Sequence, residues 1–210
     1  MANAQYAQLR DWIDRWEAHL IEQRTYLTEL DSAIGDGDHG TNMVRGLAAA
    51  SARADAEVPE HVDDLFKAVG MAIVSSVGGA SGPLYGTFFL RFGATAGHVR
   101  ELDGADLAEA LGAGASGVAQ RGKPELGDKT MFDAMSPAVG AFAAAIARGE
   151  TPSTAANSAS VAAHAGREAT AELVARKGRA SYLGERSVGH IDPGATSTAL
   201  LFQSLAEALA

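Results

Sequence analysis

Apolar residues along this 210-residue chain recur every three to four positions, and no stretch alternates in the way a half-buried strand does. Leu9, Trp12, Ile13, Trp16, Leu20, Leu27 and Leu30 predict one long first helix with a single apolar stripe. A second is expected from Thr41 to about Ala54, with Met43, Val44 and Leu47 inward. A third, capped by Asp63 or Asp64, carries Leu65, Phe66, Val69, Ala72 and Ile73. A fourth begins near Pro83, a residue suited to a first helical turn, and buries Leu84, Phe88, Phe89 and Phe92. A fifth spans about Ala105 to Arg121. A sixth is capped by Asp128 and interrupted by Pro137, an alanine-rich seventh runs from a Ser153 cap to about Arg176, and an eighth starts at Ala195. Eight helices without a long linker or a repeat predict an all-α fold in one domain, residues 1–210.

Three interruptions of this pattern hold the candidate chemistry. Between the first two helices lies Asp31-Ser-Ala-Ile-Gly-Asp-Gly-Asp-His-Gly-Thr-Asn-Met43, in which Gly35, Gly37 and Gly40 mark a tight loop. Asp36 and Asp38 bracket one glycine, and Asp31 can close on the same point from the preceding helix. Carboxylates this close repel one another unless a cation neutralises them. Oxygen donors with no Cys partner suit magnesium or calcium. A calcium EF-hand loop started at Asp36 would need a carboxylate at position 47, which is Leu47. Ordinary Asp-Gly turn chemistry explains any one of these aspartates, but it does not explain three acids, three glycines and the following His39-Gly-Thr-Asn42 together.

The second interruption, Gly78-Gly-Ala-Ser-Gly-Pro83, precedes a helix, whose exposed N–H groups and positive dipole end attract anions. No Walker loop is present in the chain. The third, Lys177 to Gly194, is a long polar connection with Arg179, Tyr182, Arg186 and Asp192-Pro-Gly194, and its length and composition favour function over disorder. The run Gly112-Ala-Gly-Ala-Ser-Gly117 has two readings, close helix packing or a cofactor against the backbone, and the sequence leaves both open.

The formal charge of −9 leaves no basic face for nucleic acid or anionic membrane, although a nucleotide held through metal ions is still allowed. The chain has no cysteines, which excludes disulfides and thiolate chemistry. No apolar run is long enough to cross a bilayer, and the N-terminus has neither a basic start nor an apolar stretch, so a cytoplasmic location is expected.

The acidic loop, then Gly-Gly-Ala-Ser-Gly-Pro-Leu-Tyr-Gly-Thr-Phe, then Gly127-Asp-Lys-Thr-Met-Phe-Asp133, then Asp192-Pro-Gly-Ala-Thr-Ser-Thr198, occur in this order through nearly the whole chain. Together they resemble the nucleotide-binding subunit of dihydroxyacetone kinase, DhaL type. The resemblance implies an eight-helix antiparallel up-and-down barrel with a nucleotide pocket at one end. It implies that Asp31, Asp36 and Asp38 hold two Mg2+ ions against the phosphates of ADP or ATP. Nucleotide contacts carry over to His39, Gly40, Thr41 and Asn42, to Ala80 and Ser81, and to Gly122, Met131, Arg179, Asp192, Pro193 and Gly194. Met131 is also readable as a core methionine, Arg179 as a surface charge and His39 as a turn residue.

The implied reaction is phosphoryl transfer to dihydroxyacetone or a similar short ketose held by a separate substrate-binding subunit through a histidine adduct. None of the six histidines of this chain is therefore assigned as that anchor. A phosphohistidine protein of the phosphotransferase system is the implied donor. Direct use of ATP on another ketose or tetrose, a non-catalytic nucleotide sensor, and self-association as a homodimer stay open. A fatty-acid kinase domain has a related loop, but with Thr at the position of His39.

Overall fold

The computed structural model describes residues 3–210. The first two residues of the expected domain, which also begin the expected leaderless N-terminus, lie outside the described residues. Nine α-helices make up the described chain: α1 Tyr6–Glu22, α2 Arg24–Ile34, α3 His39–Glu57, α4 Val62–Ser76, α5 Ser81–Ala96, α6 Gly104–Gly122, α7 Met131–Ala147, α8 Pro152–Ala169 and α9 Pro193–Ala208. Two 3-10 segments, Thr170–Glu172 and Arg179–Ser187, lie between α8 and α9. A two-residue antiparallel ribbon pairs β1, Ala4–Gln5, with β2, Glu101–Leu102.

The all-α expectation holds, and the count of eight is corrected to nine. The predicted first helix breaks at Gln23, whose N–H still donates to His19 O at 2.9 Å while its carbonyl accepts the N–H of Leu27 at 2.9 Å. The apolar stripe passes through the break unchanged, because Leu20 and Leu27 are two turns apart, so periodicity could not reveal it. Three expected caps and one expected start also move. His61, not Asp63 or Asp64, precedes α4, and both aspartates fall in its first turn. The helix expected near Pro83 starts at Ser81. Thr151 rather than Ser153 caps α8, which ends at Ala169, well short of Arg176.

The cap of α7 is Thr130 rather than Asp128, since Thr130 and Asp133 form a reciprocal capping box. Nor does Pro137 interrupt α7, which runs unbroken from Met131 to Ala147. A proline deprives the carbonyl four residues earlier of its donor. Here that carbonyl belongs to Asp133, and α8 covers it with Gly166, where a Cβ would come within 2.2 Å of the oxygen.

Helices adjacent in sequence pack against one another from α2 through α9, and α9 returns to pack on α1. Between α1 and α9 the indole N–H of Trp12 donates to Leu201 O at 2.8 Å and that of Trp16 to Ser197 O at 3.0 Å. Around these indoles Phe66, Tyr85, Phe89 and Phe92 form an aromatic centre with ring centroids 4.4–5.9 Å apart. Thirteen of the sixteen residues of α9 are buried, as befits a helix enclosed on all sides. In the Gly112–Gly117 run, a Cβ on Gly114 would lie 2.7 Å from Phe88 of α5, and one on Gly117 would lie 2.8 Å from Arg91. The run therefore serves close packing of α6 on α5. No helix among the described residues is long and apolar enough to cross a membrane.

Candidate nucleotide and metal site

Alternation of direction along the chain brings the starts of α3, α5, α7 and α9 to one cavity of about 450 Å3, lined among others by His39, Ser81, Met131 and Pro193. Four helix N-termini facing one space put a positive potential into it. The acidic loop faces the same space. Ligand oxygens of Asp31, Asp36 and Asp38 all lie within 4.8 Å of one another.

The backbone builds this convergence. Asp31 sits in the last turn of α2, and its Oδ2 accepts the N–H groups of Asp38 at 2.8 Å and His39 at 3.1 Å, so that it caps α3 from outside. Gly35 permits it, since a Cβ there would lie 2.1 Å from Asp31 Oδ1. Gly37 turns the loop with φ +74, a conformation side chains disfavour. The other carboxylate of the pair, Asp36, meets Arg179 with Nη1 to Oδ2 at 2.5 Å. Hard oxygen donors with one charge-balancing arginine fit a magnesium ion rather than a softer metal.

Asn42, one turn into α3, ties this loop to the second one. Its amide stands where a Cβ on Gly78 would be 2.8 Å away, and its Oδ1 accepts Arg45 Nη2 at 2.7 Å. Ser81 Oγ at the start of α5 lies 3.4 Å from His39 Nδ1. Burial pushes His39 down to about 4, against the pull of Asp31 and Asp38, so its ring is neutral at neutral pH.

Two of the expected contacts are not brought to the cavity. Gly40 faces α2, where a Cβ would meet Arg24 O at 2.2 Å, and Thr41 is exposed to solvent. The lining does include the other expected residues: His39, Asn42, Ala80, Ser81, Gly122, Met131, Arg179, Asp192, Pro193 and Gly194, with the three aspartates. Val118, Arg121 and Lys129, to which the sequence gave no role, also line it, as does Leu84, which the helical pattern assigns to the core. Leu84 packs against Gly122, where a Cβ would stand 3.1 Å away, which forms an apolar wall with Val118 and Met131.

Lys129 could have been found, because it stands in the Gly-Asp-Lys-Thr-Met motif. It is 1% exposed with φ +62, and its Nζ donates to Thr170 O at 2.6 Å and Leu173 O at 3.2 Å. It thereby ties the segment after α8 to the floor of the cavity. Burial lowers its pKa, opposed by Asp192. Burial pushes Asp192 up to about 7, opposed by the hydrogen bond from Ala195 N and reinforced by Asp133. A second cluster, His61, Asp64 and His98, lies at the far end of α4, roughly 20 Å along that helix by its rise per residue. There His98 Nδ1 pairs with Asp63 at 3.1 Å and the two imidazoles stack at 3.7 Å.

A profile described as the DAK2 domain matches residues 33–207. The chain belongs to the DAK2-domain family. It is 42% identical over 200 residues to the ADP-binding subunit DhaL of PEP-dependent dihydroxyacetone kinase 1 of Listeria innocua, covering 93% of this chain and 95% of that one. It is 42% identical over 199 residues to the ADP-binding subunit DhaL of the Escherichia coli PEP-dependent enzyme, with 95% of each covered. Within the family, the chain is thus of the DhaL type. The crystal structure of the dihydroxyacetone kinase from C. freundii in complex with AMP-PNP and Mg2+ superimposes with a TM-score of 0.73 at 26% identity. That match spans 99% of this chain but only 35% of the longer kinase.

Proposed function

We infer that this chain is the ADP-binding subunit of a PEP- and phosphotransferase-system-dependent dihydroxyacetone kinase. The observation that carries the reading is the cavity itself, where four helix N-termini face three converging carboxylates. Neither half suffices alone, because acids repel a nucleotide and helix dipoles alone hold anions loosely. Asp31, Asp36 and Asp38 hold two magnesium ions, and bound there the ions supply neutralisation of phosphate charge. The N–H groups at the starts of α3 and α5, with His39, Asn42, Ala80 and Ser81, orient the phosphates. Leu84, Val118, Gly122 and Met131 offer the adenine an apolar wall. Arg179 and the Asp192-Pro193-Gly194 turn close the remaining side. Phosphoryl transfer needs little more from the protein than positioning and charge placement.

The ketose itself is carried by a separate subunit, and a phosphohistidine protein recharges ADP in place. On this reading the subunit works in the cytoplasm. The helix directions alternate and α9 closes on α1, which supports a closed up-and-down barrel over the single domain 1–210.

The test is a denaturing extract of the purified protein followed by reconstitution. Stoichiometric ADP with magnesium is expected, and dihydroxyacetone phosphate should form when the substrate-binding subunit and phosphorylated phosphotransferase protein are added. An empty site that turns over only with added ATP would overturn the recharged-ADP reading.

A further inference from the structure

Two motifs contain residues that the cavity does not use: Tyr85 in Ser-Gly-Pro-Leu-Tyr, and Ser197 and Thr198 in Asp-Pro-Gly-Ala-Thr-Ser-Thr. All three are fully buried, and their hydroxyls meet behind His39. Tyr85 OH lies 2.7 Å from Thr198 Oγ1 and 2.7 Å from Ser197 Oγ, and Ser197 Oγ lies 2.9 Å from His39 Nε2. A buried hydroxyl without a partner would be destabilising, yet one partner each would suffice here. Three in a row, ending on the ring that faces the cavity, exceed that need.

Each hydroxyl has one proton to donate, and a neutral imidazole has one N–H. If all three short contacts are hydrogen bonds in one head-to-tail order, the order that starts at Thr198 spends all three hydroxyl protons, whereas the reverse leaves the buried Thr198 proton without an acceptor in the series. Thr198 donates to Tyr85, Tyr85 to Ser197, and Ser197 to His39 Nε2. Nε2 is then the acceptor, so the ring proton sits on Nδ1, because the partner of one nitrogen decides the state of the other. Gly194 O, which lies 3.1 Å from Ser197 Oγ and 3.2 Å from Tyr85 OH, competes for these protons at longer range. It also has the Thr198 N–H of the α9 ladder within its normal reach. On the cavity side, Nδ1 is 3.4 Å from Ser81 Oγ, too far for a strong bond. That N–H is left for something else.

We propose that Thr198, Tyr85 and Ser197 form a one-way hydroxyl relay that holds His39 as its Nδ1–H tautomer, presenting a neutral donor to a phosphate oxygen in the cavity. The phosphate contact rests on the nucleotide reading of the site, while the tautomer does not. The opposite tautomer would turn a lone pair towards an anion. Tyr85 and Ser197 are positioning residues, because neither lines the cavity. Trp16 steadies both, packing edge-on to the Tyr85 ring at 5.0 Å and donating to Ser197 O at 3.0 Å. Hydrogen bonds in such a series polarise one another, so loss of a distal hydroxyl is felt at the ring.

The test is a long-range 1H–15N correlation spectrum of the 15N-histidine-labelled full chain without nucleotide, with the His39 signals identified by His39→Gln. Nδ1 should resonate as protonated and Nε2 as a bare acceptor. In Tyr85→Phe, which keeps the ring and its packing, the two shifts should move towards an averaged tautomer. Mg-ADP affinity should fall roughly tenfold, as for loss of a hydrogen bond to a charged group. Ser197→Thr, which retains a hydroxyl, should restore what Ser197→Ala loses. A protonated Nε2 in the wild-type protein, or Tyr85→Phe spectra and affinity identical to wild type, would overturn the relay. A protonated Nδ1 in a chain that binds no ADP would leave the relay standing and overturn the nucleotide reading instead.

Discussion

Asp192 has two roles that pull in opposite directions: its Oδ2 accepts Ala195 N–H at 2.7 Å to cap α9, and its burial disfavours the charge that makes the cap strong. With a folded pKa near 7 against an ordinary 3.8, the folded state keeps a proton that the unfolded chain has released. The resulting stability is fully present below about pH 4 and is lost as pH rises through 7. Asp192→Asn retains the cap without the charge. In nucleotide-free protein it is expected to raise the melting temperature by a few degrees at pH 8 and to bring little change at pH 4.5. Equal shifts at both pH values would contradict the assignment. Asp36→Ala should leave the far-UV spectrum intact while ADP is lost during purification, and retention of full ADP and transfer would remove Asp36 from the metal site.

The aspartates could be read from the sequence because glycine spacing and charge repulsion act locally. Gly40 and Thr41 do not line the cavity, because a run of four residues entering a helix spans more than one face. His39 and Asn42, three apart, share the face that meets the cavity, whereas Gly40 turns to α2 and Thr41 to water. Periodicity gives spacing but not the phase of a helix relative to a neighbour that it does not name.

Among elements, α6 illustrates how propensity and packing separate. Gly112 has nothing within 4 Å of the point where a methyl group would stand, while Gly114 would drive one into Phe88 at 2.7 Å. Gly112→Ala should therefore stabilise the protein by about 0.5–1 kcal/mol, the helix-propensity difference alone. Gly114→Ala should destabilise it by about 1–3 kcal/mol through overpacking. Urea unfolding of the two variants decides, and a gain at Gly114 would return the run to the cofactor reading. Helical segments were legible throughout, but their starts and the break between α1 and α2 were not. Thr130-x-x-Asp133 is a capping-box pattern visible in the sequence, whereas Asp128, a cap candidate by residue type alone, instead accepts the N–H of Glu125. At Gln23 no local signal competes with the continuing stripe.

At the scale of the molecule, the helices meet the cavity alternately by their ends and their starts, so ligand and fold share one set of backbone groups. A ligand at a hundred times its dissociation constant stabilises the folded state by about 2.7 kcal/mol. For a chain of this size that is roughly 5–10 °C. Mg-ADP should produce a thermal shift of this order by scanning fluorimetry in protein stripped of nucleotide, and Asp36→Ala should abolish it. Absence of a shift in the stripped wild-type protein would count against the site as a whole.

Which helices touch across the molecule could not be derived from spacing, since Trp12 and Leu201 meet over 189 positions of chain. That contact has a temporal consequence. During synthesis α1, α4 and α5 emerge long before α9, so the aromatic centre around Trp12 and Trp16 stays open on the side that α9 covers until the end of the chain is made. The indole N–H groups gain their acceptors only when α9 docks, and the same helix brings Asp192, Pro193 and Gly194 to the cavity, so Trp fluorescence should report the step that completes the site.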